Sequence, residues 1–244
     1  MNSLPVALQM GSVREDFPKD FAATVKKSRR HRRPRRRTGR LRQSLRAGCR
    51  RRPARGRSAR RGHACRPGPR LQADLDTVRS EAALLGSPCI TCPLFDKTKW
   101  QTAGDCTALG ETLNRIGAAV RQGGRRFAYH THDGEFQKVD GRFVLDWILD
   151  AAEPQNLEIV YWSPVAGADT PAWLRQAGRR TTQIHLQDVE ELGASGKVDF
   201  PGVLQAVESM GAAEIVIIEQ EKFNHEPLES ARLCLATFRS WTGT

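Results

Sequence analysis

Residues 127–136 read Phe-Ala-Tyr-His-Thr-His-Asp-Gly-Glu-Phe. An apolar and aromatic run of strand type, Phe127–His132, passes into the turn-forming Asp133-Gly134; a helical pattern follows over Phe143–Ala151 and a further strand over Leu157–Tyr161. Two strands separated by a helix of this length form a βαβ unit, which needs a parallel sheet. The same rhythm extends in both directions. Strands are predicted at Val6–Met10, Cys89–Leu94, Gln183–Leu186 and Glu214–Glu219, and helices at Thr107–Arg121, Pro171–Gln176, Pro201–Met210 and Leu228–Trp241. Phe17, Phe21 and Val25 recur at helical spacing, and so do Leu71, Leu75, Val78, Ala82 and Leu85, with Gly86 placed to cap that helix.

These strands number six, and a long gap separates the first from the second. The gap, residues 28–70, has about the length of a strand, a helix and a second strand. Filling it brings the count to eight, which predicts a (β/α)8 TIM barrel, incomplete because its second and third strands fall in that gap. A doubly wound open sheet is the alternative architecture. Met10-Gly11-Ser12-Val13 carries no GxGxxG and the chain has no GxxxxGK[ST], so dinucleotide and P-loop nucleotide binding lack support.

The gap is chemically foreign to the rest. Ser28–Arg70 holds 19 Arg and no Lys, Asp or Glu, and its only large apolar side chains are Leu41 and Leu45. The whole chain of 244 residues has a formal charge of +12, whereas without this stretch it is −7, so the basic balance belongs to one segment. Such a segment buries too little apolar surface to offset its ordering entropy, and disorder is expected. One reading is a nucleic-acid or anionic-surface arm, since Arg pairs with phosphate and releases counterions. The other is out-of-frame translation entering near Lys27 and leaving near Leu71, because Arg, Pro, Ala, Gly and Ser without Lys is what GC-rich codons encode in a wrong frame. The organisation expected is therefore a first βα unit (1–27), the Arg-rich segment (28–70) and the remainder of the barrel (71–244). No apolar run is long enough to cross a membrane. The N-terminus has no basic lead-in to an apolar core, which predicts a cytoplasmic protein.

In a parallel barrel, the C-terminal ends of the strands converge on one mouth. Polar residues stand at three such ends, in Tyr129–Phe136, Ile184–Asp188 and Ile217–Glu221. Two carboxylates and an imidazole arriving from separate strands suit an oxygen-rich site for Mn²⁺, Mg²⁺ or a similar ion. Taken singly, Glu219 could begin a solvated loop and His185 could be a core histidine. His130 and His132 share one strand face by the period of two, and Tyr161, Trp162 and Trp173 could wall a pocket or simply pack. Cys89 and Cys92 form a CxxC, open to redox or zinc chemistry or to plain placement in a strand.

The chain resembles the sugar phosphate isomerase/epimerase family of xylose isomerase-like TIM barrels. The resemblance covers residues 4–27 and 71–244 and rests on LPVALQMGSVRED at the start, YHTHDGEFQKVDG (129–141), VYWSPVAGADTPAWL (160–174), HLQD (185–188), VDFPGVLQAV (198–207) and IIEQEKFNHEPLESARL (217–233). It implies a divalent metal, Mn²⁺, Mg²⁺ or Co²⁺, held by Glu135, His185 and Glu219. The two glutamates would also move protons beside the carbonyl of a keto sugar or polyol, in an isomerase, an epimerase or a related lyase. His130, His132, Trp162 and Gln187 would surround the substrate. Two departures predict weakened metal binding and turnover: Ile159 stands where the family carries a metal-binding Asp, and Gln187 where it tends to carry Lys.

Overall fold

The computed structural model describes residues 4–9, 12, 64–65, 68–84, 87–93, 95–162 and 170–243. The predicted helix around Phe17, Phe21 and Val25, the Gly86 cap, Leu85 and most of the Arg-rich stretch lie outside these residues. The described chain forms β1 (Val6–Leu8), β2 (Ala64–Cys65), α1 (Gly68–Ala73), α2 (Leu75–Leu84), β3 (Cys89–Cys92), α3 (Ala103–Gln122) and β4 (Arg126–His130). A small hairpin of β5 (Lys138–Val139) and β6 (Arg142–Phe143) follows, then α4 (Val144–Asp150), β7 (Glu158–Trp162), α5 (Thr170–Ala177), β8 (Thr181–Leu186), α6 (Phe200–Met210), β9 (Ile215–Ile218) and α7 (Pro227–Thr242).

Seven strands make one parallel sheet in the order β1-β9-β8-β7-β4-β3-β2. The first strand pairs with the last, Val6 to Val216 and Leu8 to Ile218, and the others follow one another in chain order, the β5–β6 hairpin standing outside the sheet. A doubly wound sheet reverses its strand order part-way; this order does not reverse, and it is that of a (β/α)8 barrel lacking one strand between β1 and β2 among the described residues. Ala64–Cys65, at the end of the Arg-rich segment, occupies the place of a third barrel strand and pairs with Ile90 and Thr91.

Strand alternation separates two faces. Ile90, Phe127, Tyr129, Ile159, Ile184, Leu186, Val216 and Ile218 pack with helix residues such as Leu113, Ile148, Val203 and Phe238 in one large core, whereas Cys89, Ala128 and Val160 form a small cluster on the other face, the barrel interior. The thiols of the CxxC, three residues apart on β3, thus point to opposite faces, and Cys89 is pushed up to about 12, first by burial and then by Glu158. A shared ion or disulfide has no geometric basis there.

The helices stop and start for local reasons. The single helix face read over 71–85 divides at Asp74, whose side chain accepts from the backbone N–H of Thr77 at 3.4 Å and so caps α2. Thr102 and Asp105 form a reciprocal capping box at the start of α3. Further along α3, Gly117 lies so close to the turn before β7 that a Cβ there would meet Asn156 O at 1.7 Å. No helix among the described residues is long and apolar enough to cross a membrane.

Candidate functional site

The interior has a floor and a mouth. At the N-terminal ends of the strands, Arg126 holds Glu214 through two hydrogen bonds of 2.9 Å and lies 3.4 Å from Glu158, whose carboxylate also accepts from Thr182 at 2.7 Å. Burial raises Glu158 above the usual carboxylate range, against the pull of Thr182 and Arg126. The register pairs Glu158 with Ala128 and Val160 with His130. Glu158 therefore sits two residues, about 6.6 Å, below the level of His130.

At the C-terminal ends, His130 closes β4, His185 is the penultimate residue of β8 and Glu219 follows β9 directly. Their ligating atoms all lie within 4.8 Å of one another. His185 Nδ1 is 2.8 Å and His130 Nε2 3.9 Å from Glu219 Oε2. The other carboxylate oxygen, Oε1, faces Gln9 Nε2 at 3.5 Å. The rings of His130 and His185 meet edge to face at 4.3 Å between centroids, with His132 at 4.6 Å from His130. Burial, and next the neighbouring His185, hold His130 well below the ordinary imidazole range, so it is neutral and presents a nitrogen lone pair. Burial raises Glu219, while His130, His132 and Gln9 oppose the rise.

Such spacing fits a divalent cation. Ligands at about 2.0–2.2 Å in a tetrahedral shell lie roughly 3.3 Å apart, between the two distances to Glu219 found here. Two imidazoles and one carboxylate also belong to the donor types such cations take.

Other predicted site residues are placed differently. Glu135, expected as a ligand with His185 and Glu219, is not in this group. It is fully buried, its Oε1 accepting from Tyr129 Oη at 2.5 Å and its Oε2 from the backbone N–H of His132 at 2.7 Å. Tyr129 alternates with His130 and belongs to the helix-side core, so the carboxylate is drawn to that side. Burial and the adjacent Glu135 push Tyr129 well up, and it stays a proton donor. Ile159 is buried on the helix side too. The inward place on β7 at the level of His130 is held by Val160, and Trp162 is in register with His185. A register shift between Ile159 and Val160 is taken up by the extra Thr182 on β8 and does not bring Glu158 upward. The Trp162 side chain lies outside the described part. Gln187 is buried two residues beyond His185, and Trp173 packs edge-on against Phe136 at 5.4 Å. Asp188 ties down its own loop by accepting from the backbone N–H groups of Val189 and Gly193 at 2.7 and 3.0 Å. His130, expected from sequence beside the substrate, is one of the three gathered groups; Gln9, not singled out from sequence, faces Glu219 from the end of the first strand.

No family model matches the chain, and no curated protein matches it. Solved structures do. A sugar phosphate isomerase/epimerase from Parabacteroides distasonis superposes with a TM-score of 0.64 at 19% identity, over 71% of this chain and 64% of that one. What these likenesses show is the fold, a (β/α)8 barrel. A D-psicose 3-epimerase solved with D-fructose gives 0.54 at 15% identity, covering 71% of both chains. The IOLI protein with a bound zinc atom gives 0.55 at 11% identity, over 70% of this chain and 69% of that one. The chain thus spans under two thirds of the Parabacteroides protein's length.

Proposed function

We infer that the chain is a metal-assisted isomerase or epimerase-like protein that moves a proton beside the carbonyl of a small keto sugar or polyol. One observation carries this reading: His130, His185 and Glu219, from three separate strands, meet at the mouth of a parallel barrel with their ligating atoms within 4.8 Å of each other. The fold shared with sugar-processing barrels, and the zinc bound by one of them, support it.

A divalent ion held there would polarise a carbonyl and acidify the adjacent C–H. The chain's own residues do the rest. Glu219 directs Oε2 at the two histidines and leaves Oε1, on the Gln9 side, to take the proton. His132, beside His130, is the second titratable group available to return it. Glu135 is a positioning residue in this scheme, since its bond to the His132 backbone N–H sets where the His132 ring sits.

The test is hydrogen exchange in D2O. The full chain is loaded with divalent ion, incubated with ketohexoses and keto-inositols, and followed by NMR for deuterium at the carbon next to the carbonyl. Ion-dependent incorporation that is lost in Glu219→Gln is expected. Absence of exchange with every substrate, in folded protein with ion bound, would overturn the reading.

A further inference from the structure

We propose that His130 is a metal ligand, and that the resulting set of two imidazoles and one carboxylate makes the site selective for Zn²⁺ rather than Mg²⁺ or Mn²⁺. The proposal rests on the metal-assisted reading above and specifies its cofactor.

Among the described residues, the positions that could add a carboxylate beside Glu219 are occupied otherwise. Ile159 supplies no oxygen and faces the helices. Val160 holds the inward place beside His130. Glu158 is engaged with Arg126 and Thr182 on the floor. Both oxygens of Glu135 are taken, by Tyr129 and by the His132 backbone. Among the described residues, the groups whose ligating atoms gather within 4.8 Å of one another at the mouth are two imidazoles and one carboxylate.

Mg²⁺ requires near-octahedral oxygen coordination and gives up its water reluctantly, so two imidazoles are poor replacements. Imidazole suits Zn²⁺, and Zn²⁺ tolerates four-coordination. Three protein ligands leave the fourth place to water or a substrate oxygen, the arrangement of catalytic rather than structural zinc sites. The separations of 2.8 and 3.9 Å from Glu219 Oε2, with all three ligating atoms within 4.8 Å of one another, bracket the ligand spacing of such a shell.

Selectivity is tested on the full chain, stripped by chelator and titrated separately with Zn²⁺, Mn²⁺ and Mg²⁺ by calorimetry. A parallel Zn²⁺ titration follows the histidine ring nitrogens by NMR. One Zn²⁺ per chain is expected, with the His130 and His185 ring signals both shifting and no saturable heat from Mg²⁺. His130→Gln should weaken Zn²⁺ at least about 100-fold, because groups that merely orient a ligand already cost about 10–100-fold. Mn²⁺ or Mg²⁺ bound as tightly as Zn²⁺, or a His130 ring signal unmoved by Zn²⁺, would overturn the selectivity and the ligand assignment while leaving a metal site in place. Folded protein that binds none of the three ions would overturn the underlying reading as well. The NMR arm uses the unaltered chain, so it decides even if His130→Gln fails to fold.

Discussion

Ile159→Asp is the substitution that the resemblance to the isomerase/epimerase barrels suggests, since it would place a carboxylate where that pattern carries one. The structure predicts the opposite of a repair. Ile159 is completely buried on the helix side of β7, in the core that also holds Tyr129 and Ile184. Replacing it forfeits about 1.5–3 kcal/mol of side-chain burial. The new carboxyl has no cation within that core, so it must stay protonated; holding a group of ordinary pKa near 3.9 neutral at pH 7 costs about 4 kcal/mol at 1.36 kcal/mol per unit. The total, roughly 6 kcal/mol, rivals the whole stability of about 5–15 kcal/mol that a domain commands. The sign of the pH dependence follows. With the folded-state pKa raised, the folded chain holds more protons than the unfolded one between the two pKa values, so stability falls as pH rises and about 2.7 kcal/mol returns on going from pH 7 to pH 5. Urea denaturation of parent and variant at both pH values, followed by circular dichroism, measures each quantity. A variant within about 1 kcal/mol of the parent at pH 7, or one that gains affinity for a divalent ion, would show that Ile159 faces the mouth and that the register assigned to β7 is wrong.

Three further outcomes are expected. Gly117→Ala should destabilise by about 1–3 kcal/mol in thermal melts, because its methyl meets Asn156 O; Gly104→Ala, on the same helix with nothing nearer than 3.6 Å, should instead gain up to about 1 kcal/mol. Burial raises Glu158 in the folded chain, so the stability it contributes is complete below its unfolded pKa and is lost as pH rises through the raised value. Glu158→Gln should remove that decline, a slope no steeper than about 1.36 kcal/mol per pH unit, from the denaturation profile across the weakly acid range. Finally, the nucleotide sequence of codons 27–71 should show apolar strand-helix-strand text in another frame; arginine-rich or stop-interrupted text in both alternatives would favour the basic arm.

Much of this architecture was legible because strand and helix periods differ. The runs at 89–94, 127–132, 157–161, 183–186 and 214–219 are too apolar and too short to be helices, and each is observed as a strand to within a few residues. The barrel followed from counting them and from the length of the gap; that β1 closes on β9 is a long-range pairing that no local pattern encodes. The hairpin β5–β6 went unread although Asp140-Gly141, at φ of 50° and 80°, is the turn pair such hairpins use. Its strands of two residues carry too little alternation to register beside the helix that follows.

The convergence of polar strand ends was legible in the sequence, whereas which side chains gather there was not, for a physical reason that Glu135 makes clear. A motif gives residue types in order, whereas a ligand is chosen by face, and two faces alternate along β4 within a single residue step. Tyr129 faces the helices and offers a buried hydroxyl; His130 faces the interior. Glu135, arriving on the turn after the strand, could have gone to either. A carboxylate taken fully out of water must accept hydrogen bonds, and the Tyr129 hydroxyl with the His132 N–H supplies two on the helix side. Satisfied there, it is not among the groups gathered at the mouth, where His130 lies beside Glu219. On the reading proposed above, the local competition for Glu135 would exchange a charged oxygen ligand for a neutral nitrogen one, and the preferred cation would change with that exchange.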